Sequence, residues 1–251
     1  MGCLGASVAE PPMDLSPIAT VHSCYRTKFG IPRQSGLISE ATGYLELLPP
    51  YNQPNAVRGL EEFSHIWVIF VFSENLRDSW KATVRPPRLG GDQRLGVFAT
   101  RSPFRPMPIG LSALKLEGVK IRPHGKIEIH VSGLDLLDGT PVLDIKPYLP
   151  YTDCIPEATG GFAPVAPDQA AMRVSFAPEL QDALKKERPE FLQLCLKVVS
   201  LDPRPAYQKI PGRVYQCYLE DREILWQVGE DPQQAVITAI RFWKKEQPAD
   251  R

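Results

Sequence analysis

The sequence predicts a mainly β fold, a barrel or a sandwich, followed by a smaller α+β domain, and three observations support this. Up to about residue 155, short runs of β-branched and aromatic residues alternate with Gly- and Pro-rich turns, which is typical of all-β domains. Residues 156–170 have the composition of a linker, and helical patterns begin only after them. We therefore expect a disordered leader over residues 1–14, a first domain over residues 15–155 and a second domain over residues 171–251.

Five runs predict the strands of the first domain: residues 18–22, 43–48, 64–72, 111–119 and 127–131. The third run, SHIWVIFVF, is almost entirely β-branched and aromatic, which predicts a strand buried on both faces. The second and fifth runs alternate apolar and polar residues, which predicts strands with one buried face. After the fifth run, the sequence DGTP at residues 138–141 predicts a tight turn, because Asp and Gly provide the backbone freedom that a turn needs.

The second domain begins with helical patterns and ends with strand patterns. Residues 178–187 can form a helix, and Pro189 is a favourable first residue for another. The apolar positions of this second helix are Phe191, Leu192, Leu194, Cys195, Leu196, Val198 and Val199. Three strand-like runs follow, VYQCYL, EILWQV and AVITAI, which completes an α+β pattern.

Residues 83–112, TVRPPRLGGDQRLGVFATRSPFRPMPIGLS, contain five arginines and a single acidic residue. The prolines of this stretch remove backbone donors and restrict the residues before them, so we expect a stiff loop and not a helix or a central strand. Leu95, Val97, Phe98 and Ala99 form an apolar run that predicts an anchor to a core. Guanidinium groups on a stiff, anchored loop are suited to gripping phosphate or carboxylate groups, although scattered arginines are also common in solvated connections.

Composition excludes several classes of protein. The formal net charge is zero, so any nucleic-acid site needs a local cluster of basic residues. Five widely spaced cysteines without a C-x-x-C pair argue against a disulfide framework or a zinc site and fit a reducing cytoplasm. The acids at 135, 138, 144 and 153 match no calcium loop, so we expect no metal. No apolar run approaches the roughly 18 residues of a membrane span, and Rossmann, P-loop and G-x-S-x-G motifs are absent.

Several longer blocks of sequence are specific enough to compare with known families: KFGIPRQSGL, PYNQPNAVRGLEEFSHIWVIFVF, TVRPPRLGGDQRLGVFATRSPFRP, PIGLS and SGLDLLDGTPVLDIKPYLPY, with VSF and DPRPAY in the second domain. Together these blocks resemble the TsaA/TrmO (YaeB-like) family of S-adenosylmethionine-dependent tRNA methyltransferases, which use a β-barrel in place of a Rossmann sheet. The resemblance covers nearly the whole chain and is closest to the bacterial two-domain members. It implies that the first domain is a TsaA-like β-barrel.

The resemblance also implies an activity. This is transfer of a methyl group from S-adenosylmethionine to N6 of N6-threonylcarbamoyladenosine, the modified purine on the 3′ side of the anticodon in certain threonine tRNAs. It further implies a homodimer with the cofactor site near the dimer surface. By motif position, it implies cofactor contacts at Pro32, Arg33, Gln34, His65, Ile66, Arg101, Leu111, Asp138, Gly139, Thr140 and Pro141.

Basic side chains would supply the grip on the phosphates of the anticodon loop. We expect this role for Arg85, Arg88, Arg94, Arg105, Lys209 and Arg213, with Lys185, Lys186 and Arg204 extending the grip. Each of them, taken singly, could instead be a solvated surface residue. Candidates for stacking on unpaired bases are Phe104, Tyr148 and Tyr151. Conceivable bases for the N6 proton are Asp138, Asp144 and His65, and the sequence does not select one.

One departure from the family pattern concerns Met107. The family usually has R-P-N-P-I-G where this chain has RPMPIG, and a thioether cannot replace the hydrogen bonds of a carboxamide. Either this position touches substrate or cofactor, or it only shapes a turn between two prolines. Two alternatives to the tRNA methyltransferase therefore remain: a non-catalytic adenosyl-ligand or RNA-binding module of the same fold, and a methyltransferase with another substrate.

Overall fold

The computed structural model describes residues 15–77, 79–86, 89, 93–164, 172–204 and 210–243. Its strands are, in chain order, β1 (Ala19–Ser23), β2 (Thr42–Leu47), β3 (His65–Val71), β4 (Thr83–Val84), β5 (Leu95–Gly96), β6 (Ile109–Ile121), β7 (Ile127–Ser132), β8 (Pro141–Pro147), β9 (Arg173–Phe176), β10 (Val214–Leu219), β11 (Arg222–Val228) and β12 (Gln234–Phe242). Its α-helices are α1 (Pro150–Asp153), α2 (Gln181–Leu184) and α3 (Pro189–Ser200).

Six strands form a closed antiparallel barrel in the order β1–β2–β7–β6–β3–β8, which confirms the mainly β fold and its N-terminal barrel. All five strands predicted for the first domain are present, as β1, β2, β3, β6 and β7, with ends within two residues of the predicted ones. Strand β8 is an addition to the prediction. Its sequence PVLDIKP has Pro at both ends and two charged residues, which obscured the strand pattern.

Successive side chains of a barrel strand point alternately into the interior of the barrel and to its outer surface. In β3, Ile66, Val68 and Phe70 are buried, whereas Trp67 and Ile69 are only half-buried on the outside. The prediction that this strand is buried on both faces is therefore wrong. An antiparallel barrel covers only its inner face, so the apolar outer side chains of β3 stay partly accessible.

One glycine is needed for the closure of the barrel beside the loops. A Cβ atom at Gly110, in β6, would lie 2.2 Å from Cζ of Phe70. Because Phe70 fills this end of the barrel from the neighbouring strand β3, only glycine leaves room for its ring.

The second domain combines α3 with a four-stranded sheet in the order β10–β11–β12–β9, which confirms its predicted α+β character. Helix α3 begins at Pro189 as predicted. Its buried side chains recur with the spacing of one helix face: Phe191, Leu194, Cys195, Val198 and Val199. The helix predicted over residues 178–187 is shorter, because a 3-10 turn (Pro178–Leu180) precedes the single turn of α2.

The segment after β1 joins the barrel to the second domain. Tyr25 forms an isolated bridge with Leu219 of β10. A Cβ atom at Gly30 would lie 3.2 Å from Cβ of Cys217, and φ of Gly30 is +99°, so glycine lets this loop pass close to the second sheet. These contacts fix the start of the loop that carries residues 32–34.

The limits of the two domains stay predictions, although all barrel strands lie within residues 19–147 and the second sheet lies within residues 173–242. The predicted leader, residues 1–14, falls outside the described residues. Among the described residues, no helix combines the length and the apolar character needed to cross a bilayer.

Candidate active site

A wide cleft of about 1790 Å³ opens at one end of the barrel, just beyond the last residue of β3. Most of its lining comes from the loops of the first domain, within residues 30–37, 75–86 and 94–108. The linker contributes within residues 160–163, and the second domain contributes Val198 and residues 201–204. Both domains therefore build the cleft.

Backbone hydrogen bonds fix the loop side of the cleft. The N–H of Phe72 donates to the carbonyl of Pro108 at 2.8 Å, and the N–H of Val97 donates to the carbonyl of Ala82 at 2.9 Å. Val97 is also buried, whereas Phe98 lies exposed in the cleft lining. The apolar run that predicts a core anchor therefore anchors the loop through Val97, and Phe98 is instead part of the cleft surface.

The cleft is strongly basic. Among the described residues that line it, eight are Arg or Lys and one, Asp202, is acidic. The basic residues are Arg33, Arg77, Lys81, Arg85, Arg94, Arg101, Arg105 and Arg204. This concentration is invisible in the net charge of zero, because acidic residues elsewhere balance it. A surface of one sign within a concave wall attracts a polyanion.

Exposed aromatic rings lie among these cations. Trp80 and Phe98 line the cleft with ring centroids 6.3 Å apart, and the guanidinium carbon of Arg77 lies 4.3 Å from the ring centroid of Phe104. Phe162 of the linker also lines the cleft. Of these rings, only Phe104 was predicted from the sequence as a surface for base stacking. Trp80 could have been noticed in the sequence as an aromatic residue in a polar segment, between Arg77 and Lys81. No strand or helix pattern accounts for an aromatic residue there.

Two predicted cofactor contacts from distant parts of the sequence meet in the cleft. A guanidinium N–H of Arg101 donates a hydrogen bond to Oε1 of Gln34, and the amide of Gln34 donates to the carbonyl of Arg33. Pro32 lines the cleft beside them. Arg101 is exposed, so its other N–H groups can bind a carboxylate or a phosphate in a fixed plane.

The predicted turn at residues 138–141 lies at the same end of the barrel, but its residues are not among those that line the cleft. Oδ1 of Asp138 accepts a hydrogen bond from the N–H of Ser23 at 2.9 Å, and Oδ2 pairs with Arg26. Arg26 also donates to the carbonyl of Glu220 in the second domain at 2.9 Å. The Asp138 carboxylate is thus occupied within the protein, and exposed Gly139 is the accessible part of the turn.

His65, Ile66 and Leu111 are not among the residues that line the cleft. His65 is the first residue of β3, about 20 Å along the strand from the end at which the cleft opens. The Ile66 side chain is buried inside the barrel, so only its backbone is available to a ligand outside. Leu111 is 53% exposed on the outer face of β6, opposite Ile69 of β3. The predicted cofactor contacts therefore form two separate groups within one chain.

Only some of the residues predicted to contact phosphates line the cleft. Arg85, Arg94 and Arg105 line the cleft, whereas Arg213 does not and lies with its guanidinium carbon 5.5 Å from the ring centroid of Tyr215. Arg88 and Lys209 fall outside the described residues. Arg204 lines the cleft but is buried and paired with Asp202.

The three candidate bases all lie outside the cleft lining. Asp138 is paired with Arg26, and Asp144 is paired with Lys146 at 2.8 Å between Oδ2 and Nζ. Nδ1 of His65 lies 2.9 Å from the hydroxyl of Ser64. No proton acceptor is therefore assigned by position.

Met107 occupies a turn. Its carbonyl accepts a hydrogen bond from the N–H of Ile109 at 2.8 Å, and the residue is 60% exposed. Pro106 and Pro108 line the cleft, but Met107 is not among the lining residues. This geometry favours the alternative in which the position shapes a turn.

One half-buried acid, Asp135, was considered in the sequence analysis only as a metal ligand. Asp135 precedes the 138–141 turn by three residues, and its Oδ1 atom is buried without a hydrogen-bond partner in the described part of the chain. Burial raises the pKa of this carboxyl to about 6, although the hydroxyl of Ser112, the N–H of Ser35 and the charge of Arg101 act in the opposite direction.

Comparisons with known proteins agree with one another. A family model described as the tRNA-methyltransferase O N-terminal domain matches residues 20–154, and the TrmO C-terminal domain matches residues 169–242. The chain is 47% identical over 218 residues to the tRNA (adenine(37)-N6)-methyltransferase of Escherichia coli, over 85% of this chain and 92% of that protein. It is 46% identical over 218 residues to a Pseudomonas aeruginosa protein with the provisional name S-adenosylmethionine-dependent methyltransferase RcsF, over 84% of this chain and 91% of that protein. A crystal structure of TrmO from Pseudomonas aeruginosa superposes with a TM-score of 0.74 at 35% identity, over 94% of this chain and all of that one.

Proposed function

This chain belongs to the TrmO family, and on this premise we propose that it is a tRNA methyltransferase that modifies N6 of adenine 37 with S-adenosylmethionine as methyl donor. The finer substrate that we propose is N6-threonylcarbamoyladenosine in threonine tRNAs. The observation that carries the proposal is the cleft, in which Arg101 and Gln34 meet among basic and aromatic side chains. We expect the enzyme to act in the cytoplasm.

The residues of the cleft fit the methyl donor. Its amino-acid end carries a carboxylate, and the exposed guanidinium groups of Arg33 and Arg101 are suited to hold it. Half-buried Leu37 offers apolar surface for its adenine. When bound, the donor supplies a methyl group on a sulfonium centre, which is a good leaving group. The chain then mainly has to align donor and acceptor, and alignment alone can lower the barrier by several kcal/mol.

The basic and aromatic side chains fit the anticodon loop. Sequence-specific readers of RNA bind unpaired bases, which stack on aromatic rings while cations hold the phosphates. Trp80 and Phe98 supply exposed rings, and Arg85, Arg94 and Arg105 supply charge beside them. A phosphate grip of this kind weakens with salt, with a slope of about 0.7 in log affinity against log salt for each neutralised phosphate of a single strand.

The active protein in this proposal is a homodimer. The outer face of β3 and β6 presents apolar side chains that the described chain leaves partly uncovered: Trp67, Ile69, Val71, Ile109, Leu111 and Ala113. We propose that the two-fold axis of the dimer runs across these strands, because such an axis reverses their direction and places the His65 end of one chain near the cleft end of its partner. In this arrangement, His65, which lies about 20 Å along β3 from the cleft end of its own chain, comes near the cleft of the partner. Leu111, which pairs with Ile69, already lies near the cleft end of its own chain.

The test is methyl transfer in a defined system. Purified protein, S-adenosylmethionine and threonine tRNA that carries N6-threonylcarbamoyladenosine are combined, and the nucleosides are analysed by mass spectrometry. We expect the mass of this one nucleoside to rise by one methyl group, and the matched tRNA with unmodified adenosine at the same position to stay unchanged. Methylation of the unmodified tRNA would overturn the finer substrate. Cofactor binding without any methylated nucleoside would support the non-catalytic alternative.

A further inference from the structure

Arg77 and Phe104 pack against each other in the wall of the cleft. The guanidinium carbon of Arg77 lies 4.3 Å from the ring centroid of Phe104, and both residues line the cleft and are exposed. The electron density of an aromatic face attracts a cation, whereas the N–H groups of a guanidinium lie along its edges. The contact with Phe104 therefore holds the Arg77 guanidinium in the cleft and keeps its donors open to a ligand.

The arginines of the cleft differ in how they are paired. Four of the seven donate hydrogen bonds to the protein: Arg94 to Thr83, Arg101 to Gln34, Arg105 to Thr100 and Arg204 to Asp202. The other three, Arg33, Arg77 and Arg85, make no hydrogen bond or salt bridge within the described part of the chain. The charges of these three side chains are therefore available to an anionic ligand.

Phe104 brings Arg77 to the segment that carries Arg101. Phe104 follows Arg101 by three residues, and its N–H donates to Oγ of Ser102 at 3.2 Å, so the chain turns directly after Arg101. Three residues span at most about 11 Å even when fully extended. Arg77 thus lies on the same part of the cleft wall as the proposed partner of the donor's carboxylate.

A second contact fixes the segment before Arg77. Nζ of Lys28 donates to the carbonyl of Glu74 at 2.8 Å, which ties this segment to the loop that leads to residues 32–34. Arg85, by contrast, directly follows β4 in the two-stranded sheet of β4 and β5. Of the arginines without a hydrogen bond, Arg77 and Arg33 are therefore the ones tied to the proposed donor site.

The proposed nucleoside carries its own carboxylate close to the atom that is methylated. Four bonds lead from N6 through the carbamoyl carbon, the amide nitrogen and the threonine α carbon to the carboxyl carbon. With peptide-like bond lengths, this separation is at most about 5 Å. A residue that binds this carboxylate must therefore lie beside the methyl donor and not farther along the RNA backbone.

We propose that Arg77 determines specificity for the acceptor by binding the carboxylate of the threonylcarbamoyl group. The guanidinium that packs on Phe104 donates two parallel hydrogen bonds to this carboxylate, a geometry that suits arginine and a planar anion. Adenosine without the group gains nothing from this contact. The inference rests on the proposed function, since it names the residue that selects the proposed nucleoside.

The test compares two acceptors that differ in one charge. Threonine tRNA is assembled with a synthetic anticodon segment in which the modified nucleoside carries either its carboxylate or the neutral primary carboxamide. For the unmodified protein, we expect kcat/KM to be about 30-fold lower with the carboxamide, because a charge-assisted hydrogen-bonded pair is lost. For Arg77→Gln, we expect kcat/KM to be about 30-fold lower with the carboxylate, and the two acceptors to differ by less than about 3-fold.

Three further variants make the result specific. Arg77→Lys keeps the charge without the planar fork, so kcat/KM with the carboxylate should lie between those of the unmodified protein and Arg77→Gln. Arg85→Gln should lower kcat/KM by the same factor for both acceptors, because Arg85 is proposed to hold a phosphate. Arg241→Gln, an exposed arginine of the second domain outside the cleft lining, is the matched control and should change neither value.

Two measurements on Arg77→Gln check that its fold and donor site are intact. Because Arg77 is exposed, the Tm should stay within about 2 °C of that of the unmodified protein. Affinity for S-adenosylmethionine, measured by calorimetry, should also be unchanged. A donor affinity that falls together with kcat/KM would place Arg77 in the donor site and overturn its role in selecting the acceptor.

The outcomes separate the two proposals. If the unmodified protein methylates neither acceptor, the proposed function fails, and this inference fails with it. If it methylates both acceptors equally well, or if Arg77→Gln keeps the full preference for the carboxylate, only the role of Arg77 is overturned. An equal loss with both acceptors in Arg77→Gln would also overturn that role, because Arg77 would then hold a phosphate or a stacked base.

Discussion

Two regions of the same barrel carry the family motifs in different ways. At the cleft end, the loop of residues 32–34 and Arg101 lie side by side, joined by a hydrogen bond and surrounded by cations. On the outer face of β3 and β6, His65 and Leu111 lie on neighbouring strands, and neither is among the residues that line the cleft. In the proposed dimer, these two regions are parts of one site, and a second copy of the chain joins them.

The same comparison explains why the prediction that β3 is buried on both faces was wrong. Residues 64–72 are apolar in both alternating sets, and a two-sided buried strand is the usual reason for this pattern. In a closed barrel, the outward set instead remains partly exposed, as with Trp67 and Ile69. In the proposed dimer, this apolar outer set forms the interface between the two chains.

The largest effect is expected at the cleft end, from Arg101→Ala. The exposed guanidinium is held by Gln34 and is the proposed partner of the donor's carboxylate. Its loss should weaken S-adenosylmethionine binding by about 100-fold, which corresponds to the roughly 3 kcal/mol at the upper end for hydrogen bonds to charged groups. Calorimetry measures this, with Arg173→Ala in the second domain as the matched control. Unchanged cofactor affinity would remove Arg101 from the site.

The next largest effect is expected on the outer face, from Leu111→Glu. In the proposed dimer this change buries an unpaired carboxylate, which should weaken self-association by about 2 kcal/mol, or about 30-fold. Sedimentation equilibrium measures this. Ile121→Glu is a close control, because Ile121 lies at the far end of the same strand and is 57% exposed, compared with 53% for Leu111. Equal dissociation of both variants, or of neither, would contradict an interface at Leu111.

Much of the fold could be predicted from the sequence, because strands and helices have short-range signals. Alternation identified β2 and β7, and Pro189 with the apolar spacing after it identified α3. Strand β8 was missed because Pro141 and Pro147 flank it and obscure the local signal. Closure of the sheet into a barrel is a long-range property, and the resemblance to a family supplied the barrel where local patterns left a sandwich open. The order of the strands was not predicted.

The site could be predicted only in part. Motif positions named Arg101 and Gln34, and the structure brings them together. The role of Trp80 was missed, because a single aromatic residue in a polar loop has no periodicity to mark it. The environment of Asp135 was not predicted either. Among the described residues its Oδ1 atom has no hydrogen-bond partner, and this depends on the packing of distant segments.

A smaller effect is expected from Phe98→Ala. Phe98 is 74% exposed beside Trp80, so its loss should remove a stacking surface for a base and little else. We expect about 5- to 10-fold weaker tRNA binding, at the lower end of stacking energies, with unchanged affinity for S-adenosylmethionine. Filter binding at two salt concentrations checks this. Phe242→Ala, a ring that is 79% exposed in the second domain, is the control. If both variants lose the same affinity, the loss reflects general effects and not the cleft.

The smallest effect is expected from Met107→Asn, which restores the residue usual in the family. Because Met107 lies in an exposed turn outside the cleft lining, methyl transfer should change by less than about 2-fold. Steady-state rates with saturating donor measure this. A rise of 10-fold or more would show that the position takes part in catalysis and that this chain has lost activity through it.

Mixing two inactive variants tests the shared site most directly. His65→Ala alters only the outer group of contacts, and Arg101→Ala alters only the cleft group. The two variants are mixed in equal amounts and allowed to reassemble, so that half of the dimers are heterodimers. If each site combines His65 of one subunit with Arg101 of the other, each heterodimer has one intact site and one altered site. Methyl transfer should then recover to about a quarter of the unmodified level. Activity that stays at the level of the separate variants, although differently tagged subunits co-purify as heterodimers, would contradict a site built from two chains.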